Sequence, residues 1–144
     1  MFYDLHNNID VVRAITPQTI TSAALVSSGI DLKGSHAVKV LFDTGNIAEM
    51  GASPEGAAQI AYKLEHSDDN SSYSNVSETD VVGASQTVSS GVFATKTTDL
   101  TPTEVGYVGG KRYIRLTATP TGLSTGGPIG AWVLKGMLAD KPAS

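Results

Sequence analysis

The segment that most constrains the fold runs from Val105 to Pro120 and reads VGYVGGKRYIRLTATP. Apolar and polar residues alternate on both sides of a Gly-Gly pair, and a period of two is the pattern of a β-strand with one buried face. A glycine pair also favours the positive φ angles of a tight two-residue turn. The segment therefore predicts a β-hairpin that turns at Gly109 and Gly110, and with it an antiparallel β protein.

The rest of the chain repeats short β-rich stretches between Gly, Pro, Ser, Asn and Asp turn signals, which is typical of a β-sandwich or barrel. Pro17 separates the first two stretches and suits a bend or an edge position, because proline lacks the N–H that a central strand needs. Ser89, Ser90 and Gly91 interrupt a later stretch and indicate a bulge. Outside the opening segment, we predict further strands at residues 9–15, 19–27, 36–43, 73–76, 81–82, 87–95 and 129–138.

Residues 54–66 fit two patterns. Apolar residues recur there at helical spacing, whereas Ile60, Tyr62 and Leu64 also alternate as in a strand. The sequence leaves both open, and we favour the strand because an Asp, Asn and Ser-rich stretch at 67–72 follows it as a hairpin loop would.

The length of 144 residues is that of one domain, and 40% hydrophobic residues are enough to build a core. We predict a single all-β domain, an antiparallel β-sandwich, over residues 9–144. Residues 1–8 are polar and aromatic without periodicity, and we predict that they form an extended N-terminal arm. This arm either frays or packs on a neighbouring subunit.

The composition argues against several classes of function. The net charge is −4 and the pI is near 5.2, whereas nucleic-acid-binding proteins concentrate basic residues on one face. The cationic cluster of Lys111, Arg112 and Arg115 is short and fits a solvated strand face. The chain has no cysteine, so it has no disulfide or thiolate metal site. No stretch reaches the roughly 18 apolar residues of a membrane helix, and the first residues lack a secretory pattern. We expect synthesis in the cytoplasm and no membrane contact.

Two loops have a partial likeness to ligand-binding motifs. The sequence at 109–111 departs from the phosphate-binding loop G-x-x-x-x-G-K-[ST], because Arg112 replaces the hydroxyl residue and a strand follows. The loop at 68–79 alternates oxygen donors, but Tyr73 and Thr79 stand where a calcium loop needs glycine and glutamate. Turn formation explains both loops better than ligand binding.

No residue set indicates catalysis. His6, His36 and His66 lack the short spacings that place two imidazoles on one face for zinc. Glu65 and His66 are adjacent, and adjacent residues of a strand point to opposite faces, so they do not form a catalytic pair. Trp132 fits core packing better than a platform for a sugar ring. We predict that the protein is not an enzyme and carries no cofactor or metal.

Three phrases carry a family resemblance: AYKLEHSDDNSSYSNV at 61–76, GYVGGKRYIRLTATPTG at 106–122 and GAWVLKG at 130–136. Together they resemble small structural proteins of tailed bacteriophages that are encoded near the major capsid protein. The likeness spans Ala57 to Gly136 and leaves out the first third of the chain. The resemblance implies a β-sandwich of jelly-roll type that serves as a capsid cement or decoration protein.

On this resemblance, the protein is expected on the outside of the virion capsid, where it would bind the major capsid protein and bridge capsomers as a dimer or trimer. Many copies would stabilise the shell together, because modest contacts add by multivalency. The expected partner-binding residues are Phe2, Tyr3 and Leu5 of the arm, with Lys111 and Arg112 facing an acidic capsid surface. The alternative is a carbohydrate- or receptor-binding virion module, which the single tryptophan and the Gly, Ser and Thr-rich loops suggest.

Overall fold

The computed structural model describes residues 4–51, 57–98 and 101–139. Within these ranges the chain forms eleven strands and one 3-10 turn, so the predicted all-β fold is confirmed. The strands are β1 Ile9–Ile20, β2 Leu25–Val26, β3 Ile30–Asp31, β4 Ala37–Thr44, β5 Gln59–Ser67, β6 Ser74–Asn75, β7 Val81–Val82, β8 Val92–Lys96, β9 Thr103–Tyr107, β10 Tyr113–Thr121 and β11 Gly127–Gly136, and the 3-10 turn is Glu78–Asp80.

The strands form two antiparallel sheets. The first sheet has the order β1-β11-β4-β9-β7. The second has the order β2-β10-β5-β6, and in it β3 also pairs with β10 and β8 also pairs with β5. Strands from the two halves of the chain therefore pair in a nested way: β1 with β11, β2 and β3 with β10, β4 with β9, and β5 with β8.

An aromatic cluster joins the two sheets inside the sandwich. Phe42 of β4 stacks on Tyr62 of β5, with ring centroids 4.3 Å apart and planes 12° apart. Phe93 of β8 lies 6.1 Å from Phe42 at a tilted angle. The three side chains are fully buried. The Tyr62 hydroxyl shares a hydrogen bond with the Thr44 hydroxyl, so the phenol remains satisfied in the core.

The predicted hairpin at 105–120 is wrong. β9 pairs with β4 and β7 in the first sheet, whereas β10 pairs with β5, β2 and β3 in the second, so residues 108–112 cross from one sheet to the other. Gly109 and Gly110 do not have the positive φ of a tight turn. Gly109 is needed for another reason, because a Cβ atom there would lie 2.6 Å from the hydroxyl oxygen of Tyr107. Alternation predicted both strands correctly but does not define their partners.

Two further local predictions are corrected. Pro17 does not separate two strands: β1 continues through it, with irregular register between Arg13 and Gln18. Since β1 is an edge strand, the missing N–H of Pro17 does not interrupt the backbone hydrogen bonds between central strands. The predicted bulge at 89–91 is a tight turn, in which Ser90 and Gly91 have φ angles of 50° and 80°.

Several predictions are confirmed. The structure has a strand, β5, over Gln59–Ser67, and β6 returns beside it after the predicted hairpin loop, while residues 52–56 lie outside the described ranges. The predicted strands at 36–43 and 129–138 correspond to β4 and β11, which are central in the first sheet because each has a neighbour on both sides. Trp132, however, is not in the core: Ala131 and Val133 are fully buried, whereas Trp132 points to the outer face and is partly exposed.

Candidate functional site

One end of the sandwich gathers exposed apolar side chains. The start of β1, the end of β11, the start of β4 and the end of β9 lie side by side there, as their register requires. Leu5 lies one turn before β1, since the Ile9 N–H donates to the Leu5 carbonyl oxygen at 3.1 Å. Val108 follows β9 and Met137 follows β11. These three side chains are 67%, 61% and 67% exposed, respectively, and exposed apolar groups that cluster are typical of interaction sites.

A cleft of about 660 Å³ opens at the same end. Its walls are the β3–β4 connection, the crossover loop at 108–112 and Asp68, which follows β5. Apolar and cationic side chains line it together, and its volume is in the usual range for ligand clefts. We call this cleft, together with Leu5 and Met137 at the same end of the first sheet, the end surface. The residues that line the cleft include Leu32, Lys33, His36, Val38, Asp68, Tyr107, Val108, Lys111 and Arg112.

Ion pairs hold the two cations of the crossover loop. Arg112 binds Asp31 with two hydrogen bonds, at 3.0 Å from Nε and 2.7 Å from Nη2. The hydrogen bond from Arg112 lowers the pKa of the Asp31 carboxyl to about 2. Lys111 Nζ contacts the Asp68 carboxylate. All four side chains are between 41% and 66% exposed, so these pairs orient the cations but add little to stability.

Tyr107 fastens the crossover loop to the core. Its hydroxyl accepts a hydrogen bond from the backbone N–H of Lys111 at 3.1 Å and lies 3.1 Å from His66 Nδ1. Burial raises the pKa of the Tyr107 hydroxyl, which keeps this group neutral. The two rings meet edge to face, with centroids 6.0 Å apart. Tyr107, which lines the cleft, is therefore held in place by the hydrogen-bond partners of its hydroxyl.

Glu65 and His66 point in opposite directions, as strand alternation predicts. Glu65 accepts hydrogen bonds from Arg115 at 2.8 and 3.0 Å and from Lys63 at 3.0 Å, and these bonds outweigh burial and lower its pKa. His66 faces Tyr107 instead. The two side chains therefore cannot act on the same substrate atom.

In the predicted oxygen-rich loop, the Asp69 side chain forms hydrogen bonds within the loop itself. The Asp69 carboxylate accepts the N–H groups of Ser71 and Ser72 at 2.9 and 2.8 Å and the Ser67 hydroxyl at 2.8 Å. These bonds lower the pKa of Asp69. Within residues 4–51, 57–98 and 101–139, no group of three His, Cys, Asp or Glu side chains is placed to hold a metal ion.

The outer faces of the two sheets differ in polarity. On the first sheet, Trp132 lies between Arg13 of β1 and Leu41 of β4, and Val11 lies beside Leu134. On the second sheet, the outer face carries the Lys63–Glu65–Arg115 ion pairs, and the Arg115 guanidinium stacks 4.2 Å over the Tyr73 ring. The first sheet thus presents a mixed outer face, in which Trp132, Val11 and Leu134 share the surface with Arg13 and the Lys39–Glu104 ion pair. The second sheet presents a charged one.

The structure brings three of the five predicted partner-binding residues to one end. Leu5, Lys111 and Arg112 all belong to the end surface, although more than 100 residues of sequence separate Leu5 from the other two. Phe2 and Tyr3 lie outside the described residues.

Sequence reasoning missed Lys33, Val108 and Met137. The Lys33-Gly34 turn signal could have marked an exposed lysine, but nothing in the sequence placed it beside Lys111. Comparison of the chain with known family models, curated proteins and solved structures finds no match. In the described part of the chain, the structure contains no helix with the length and apolar character needed to span a bilayer.

Proposed function

We propose that this protein is a virion structural protein that binds the outside of a capsid and bridges capsomers, in the manner of a cement or decoration protein. The observation that carries the proposal is the end surface, where exposed Leu5, Val108 and Met137 lie at the same end of the sandwich as a cleft with a cationic rim. Mixed apolar and cationic surfaces suit protein partners, because apolar anchors supply affinity and rim charges supply orientation. The major capsid protein is the proposed partner.

The nested strand pairing supports a jelly-roll interpretation of the sandwich. In a jelly roll, a ribbon of paired strands wraps around a core so that the first principal strand pairs with the last, the second with the seventh, and so on inwards. The four pairs described above follow that order when β2 and β3 count as one strand. Jelly rolls serve in viral capsid and lectin domains, so the fold supports both the proposed function and its alternative.

We also propose that the protein assembles as a dimer or trimer through the edge of β1. This strand pairs with β11 on one side and, among the described residues, with no strand on the other, and its register is regular from Ile9 to Arg13. An open edge of this kind can accept a strand from a neighbouring copy. Sedimentation velocity tests the assembly, and a monomer at every concentration would contradict it.

Co-sedimentation with capsids that lack decoration tests the main proposal. The wild-type protein is expected to pellet with intact shells, and V108S and M137S are expected to weaken binding by about tenfold each, because both remove a central apolar contact. V26S is the matched control, since Val26 is 55% exposed on β2 of the other sheet. Failure of the wild-type protein to pellet with intact capsids would refute the proposal.

The second candidate function is carbohydrate or receptor binding by the outer face of the first sheet. The exposure of Trp132 favours it, because the tryptophan ring is available to a sugar instead of packing in the core. Arg13, its neighbour on β1, could donate hydrogen bonds to hydroxyl groups. A glycan array probed with the wild-type protein and W132A tests this function, and an array without signal would remove it.

A further inference from the structure

We propose that the cleft of the end surface binds an acidic, extended peptide segment of the partner. This inference rests on the proposed function, since it names the chemistry by which the capsid partner is recognised. The expected ligand carries Asp or Glu side chains next to an apolar residue. Four features of the cleft support it: its charge, an exchangeable ion pair, its apolar walls and its free backbone donors.

The cleft is positive in an acidic protein. Lys33, Lys111 and Arg112 line the cleft with three positive charges, whereas Asp68 is the one carboxylate among its lining residues and Asp31 binds Arg112 from outside the lining, so positive charges exceed negative ones by one among these five residues. The whole chain has a net charge of −4. Lys33 makes no ion pair within the described ranges, so its charge is available to a ligand. A local positive surface on an acidic protein selects an acidic partner.

Asp68 occupies the position that a ligand carboxylate would take. It holds Lys111, but its side chain is 66% exposed and the pair lies at the surface. Pairs of this kind contribute about 0–1 kcal/mol, so a ligand carboxylate can replace Asp68 at low cost. Arg112 is bound at two atoms by Asp31 and stays in place as part of the wall. Lys111 is therefore the residue that exchanges partners on binding, and Lys33 is the residue that gains one.

The cleft also offers apolar contacts and unpaired N–H groups. Leu32 and Val38 line it, and Val108 stands 61% exposed at its rim. The N–H groups of Gly109 and Gly110 make no hydrogen bond within the described part of the chain. Its chain neighbours apart, no atom of the described residues lies within 4 Å of the Cβ position of Gly110, so a peptide can approach its backbone closely. Peptides in extended conformation bind through such main-chain groups, while pockets beside them select side chains.

Isothermal titration calorimetry with a ten-residue polyglutamate peptide at low ionic strength tests the inference. The wild-type protein is expected to bind, and added salt is expected to weaken binding by screening. The double variant K33E/K111E is expected to bind at least about tenfold more weakly, because two attractive contacts become repulsive. Polylysine of equal length is the control peptide, and binding of polylysine as tight as that of polyglutamate would overturn the inference.

Asp68→Asn gives the sharper test, because it removes the internal competitor for Lys111. It is expected to tighten polyglutamate binding by about two- to fivefold. Asp43→Asn is the matched control: it changes the net charge equally, but Asp43 lies six residues from the cleft end of β4, which is about 20 Å along a strand. Equal effects of D68N and D43N would overturn the inference. Thermal unfolding of each variant checks that the fold is retained.

Capsid sedimentation separates this inference from the proposed function. If K33E/K111E and D68N bind capsids exactly as the wild-type protein does, the cleft is not the docking site, although the proposed function stands. If the wild-type protein binds polyglutamate but no capsid, the cleft has the inferred chemistry and the proposed function fails. Loss of capsid binding in K33E/K111E, with retention in D43N, supports both.

Discussion

Phe42→Ala should destabilise the sandwich strongly, because the Phe42 ring connects the two sheets. The ring is fully buried and stacks on Tyr62 of the opposite sheet at 4.3 Å. Removing a buried phenylalanine ring costs about 3–5 kcal/mol, and this figure includes the lost aromatic contacts and the cavity left behind. Natural domains have a free energy of unfolding of about 5–15 kcal/mol, so a loss of about 4 kcal/mol is a large share. The melting temperature should fall by about 15 °C.

Urea unfolding followed by the fluorescence of Trp132 measures this loss. Trp132 is the single tryptophan and lies on β11, opposite Leu41 of β4, so it reports on the strand that carries the substitution. Phe42→Leu should cost about 1 kcal/mol, because it keeps most of the volume. Val82→Ala is the control and should change stability by less than about 0.5 kcal/mol, since Val82 is 62% exposed. A loss below about 1 kcal/mol for F42A, with an unchanged denaturant slope, would refute the role given to the ring.

Three other predictions concern the loops. The Glu49 carboxylate accepts a hydrogen bond from the Ser124 hydroxyl at 2.5 Å and from the N–H groups of residues 124–126 at 2.7–3.0 Å. These bonds, above all the one from the Ser124 hydroxyl, lower its pKa from 4.5 to about 2. Because the pKa of Glu49 is lower in the folded state, the ionised carboxylate stabilises the fold fully above pH 4.5, and this stabilisation is lost as the pH falls towards 2. The difference in melting temperature between the wild type and E49Q should therefore disappear between pH 4.5 and pH 2. A difference that does not depend on pH would contradict this prediction. Gly126→Ala should lower the free energy of unfolding, measured in urea, by more than about 1 kcal/mol, because the φ of Gly126 is +66° and the new Cβ would lie 1.7 Å from a backbone oxygen. Gly110→Ala, where the new Cβ would enter open space, should leave the free energy of unfolding nearly unchanged. Tyr107→Phe should cost about 1–3 kcal/mol by the same measurement, since it leaves buried His66 without its hydroxyl partner, and an unchanged midpoint would refute that bond.

Alternation in the sequence was sufficient to predict most strands. In β4, the residues Val40, Phe42 and Thr44 are buried and the residues between them are less so, which is the signature of one face against a core. At β5 alternation fitted as well as helical spacing did, and the hairpin-loop residues at 67–72 favoured the strand, in which Ile60, Tyr62 and Leu64 all face inward. These assignments succeed because each depends only on neighbours close in sequence.

Strand partners could not be predicted in the same way. A short connection between two strands with one buried face each can close a hairpin in one sheet or bridge two sheets that face each other. The choice depends on which edges β4 and β5 leave open, and both are far away in sequence. Gly109 and Gly110 suggested the hairpin, but Gly109 is required by the closeness of the Tyr107 ring and not by its φ.

The candidate site was predicted only in part for the same reason. Lys111 and Arg112 were identified as an exposed cationic pair from sequence. Lys33 and Asp68 join them because β3, β5 and β10 are neighbours in the second sheet, and that order is a property of the whole fold. Because the residues of this site come from three loops, no short sequence pattern contains them all and predicts the site.

The corrected path of residues 108–112 also explains why the cleft is suited to binding. A hairpin turn would project beyond one sheet, whereas a crossover spans the end of the core and is fixed from both sides. The Val108 N–H donates to the Asp80 carbonyl oxygen at 2.8 Å, and the Lys111 N–H donates to the Tyr107 hydroxyl at 3.1 Å. Arg112 is held at two atoms by Asp31. Because the loop is ordered before a ligand arrives, binding loses less conformational entropy, and a short acidic segment can gain affinity from few contacts.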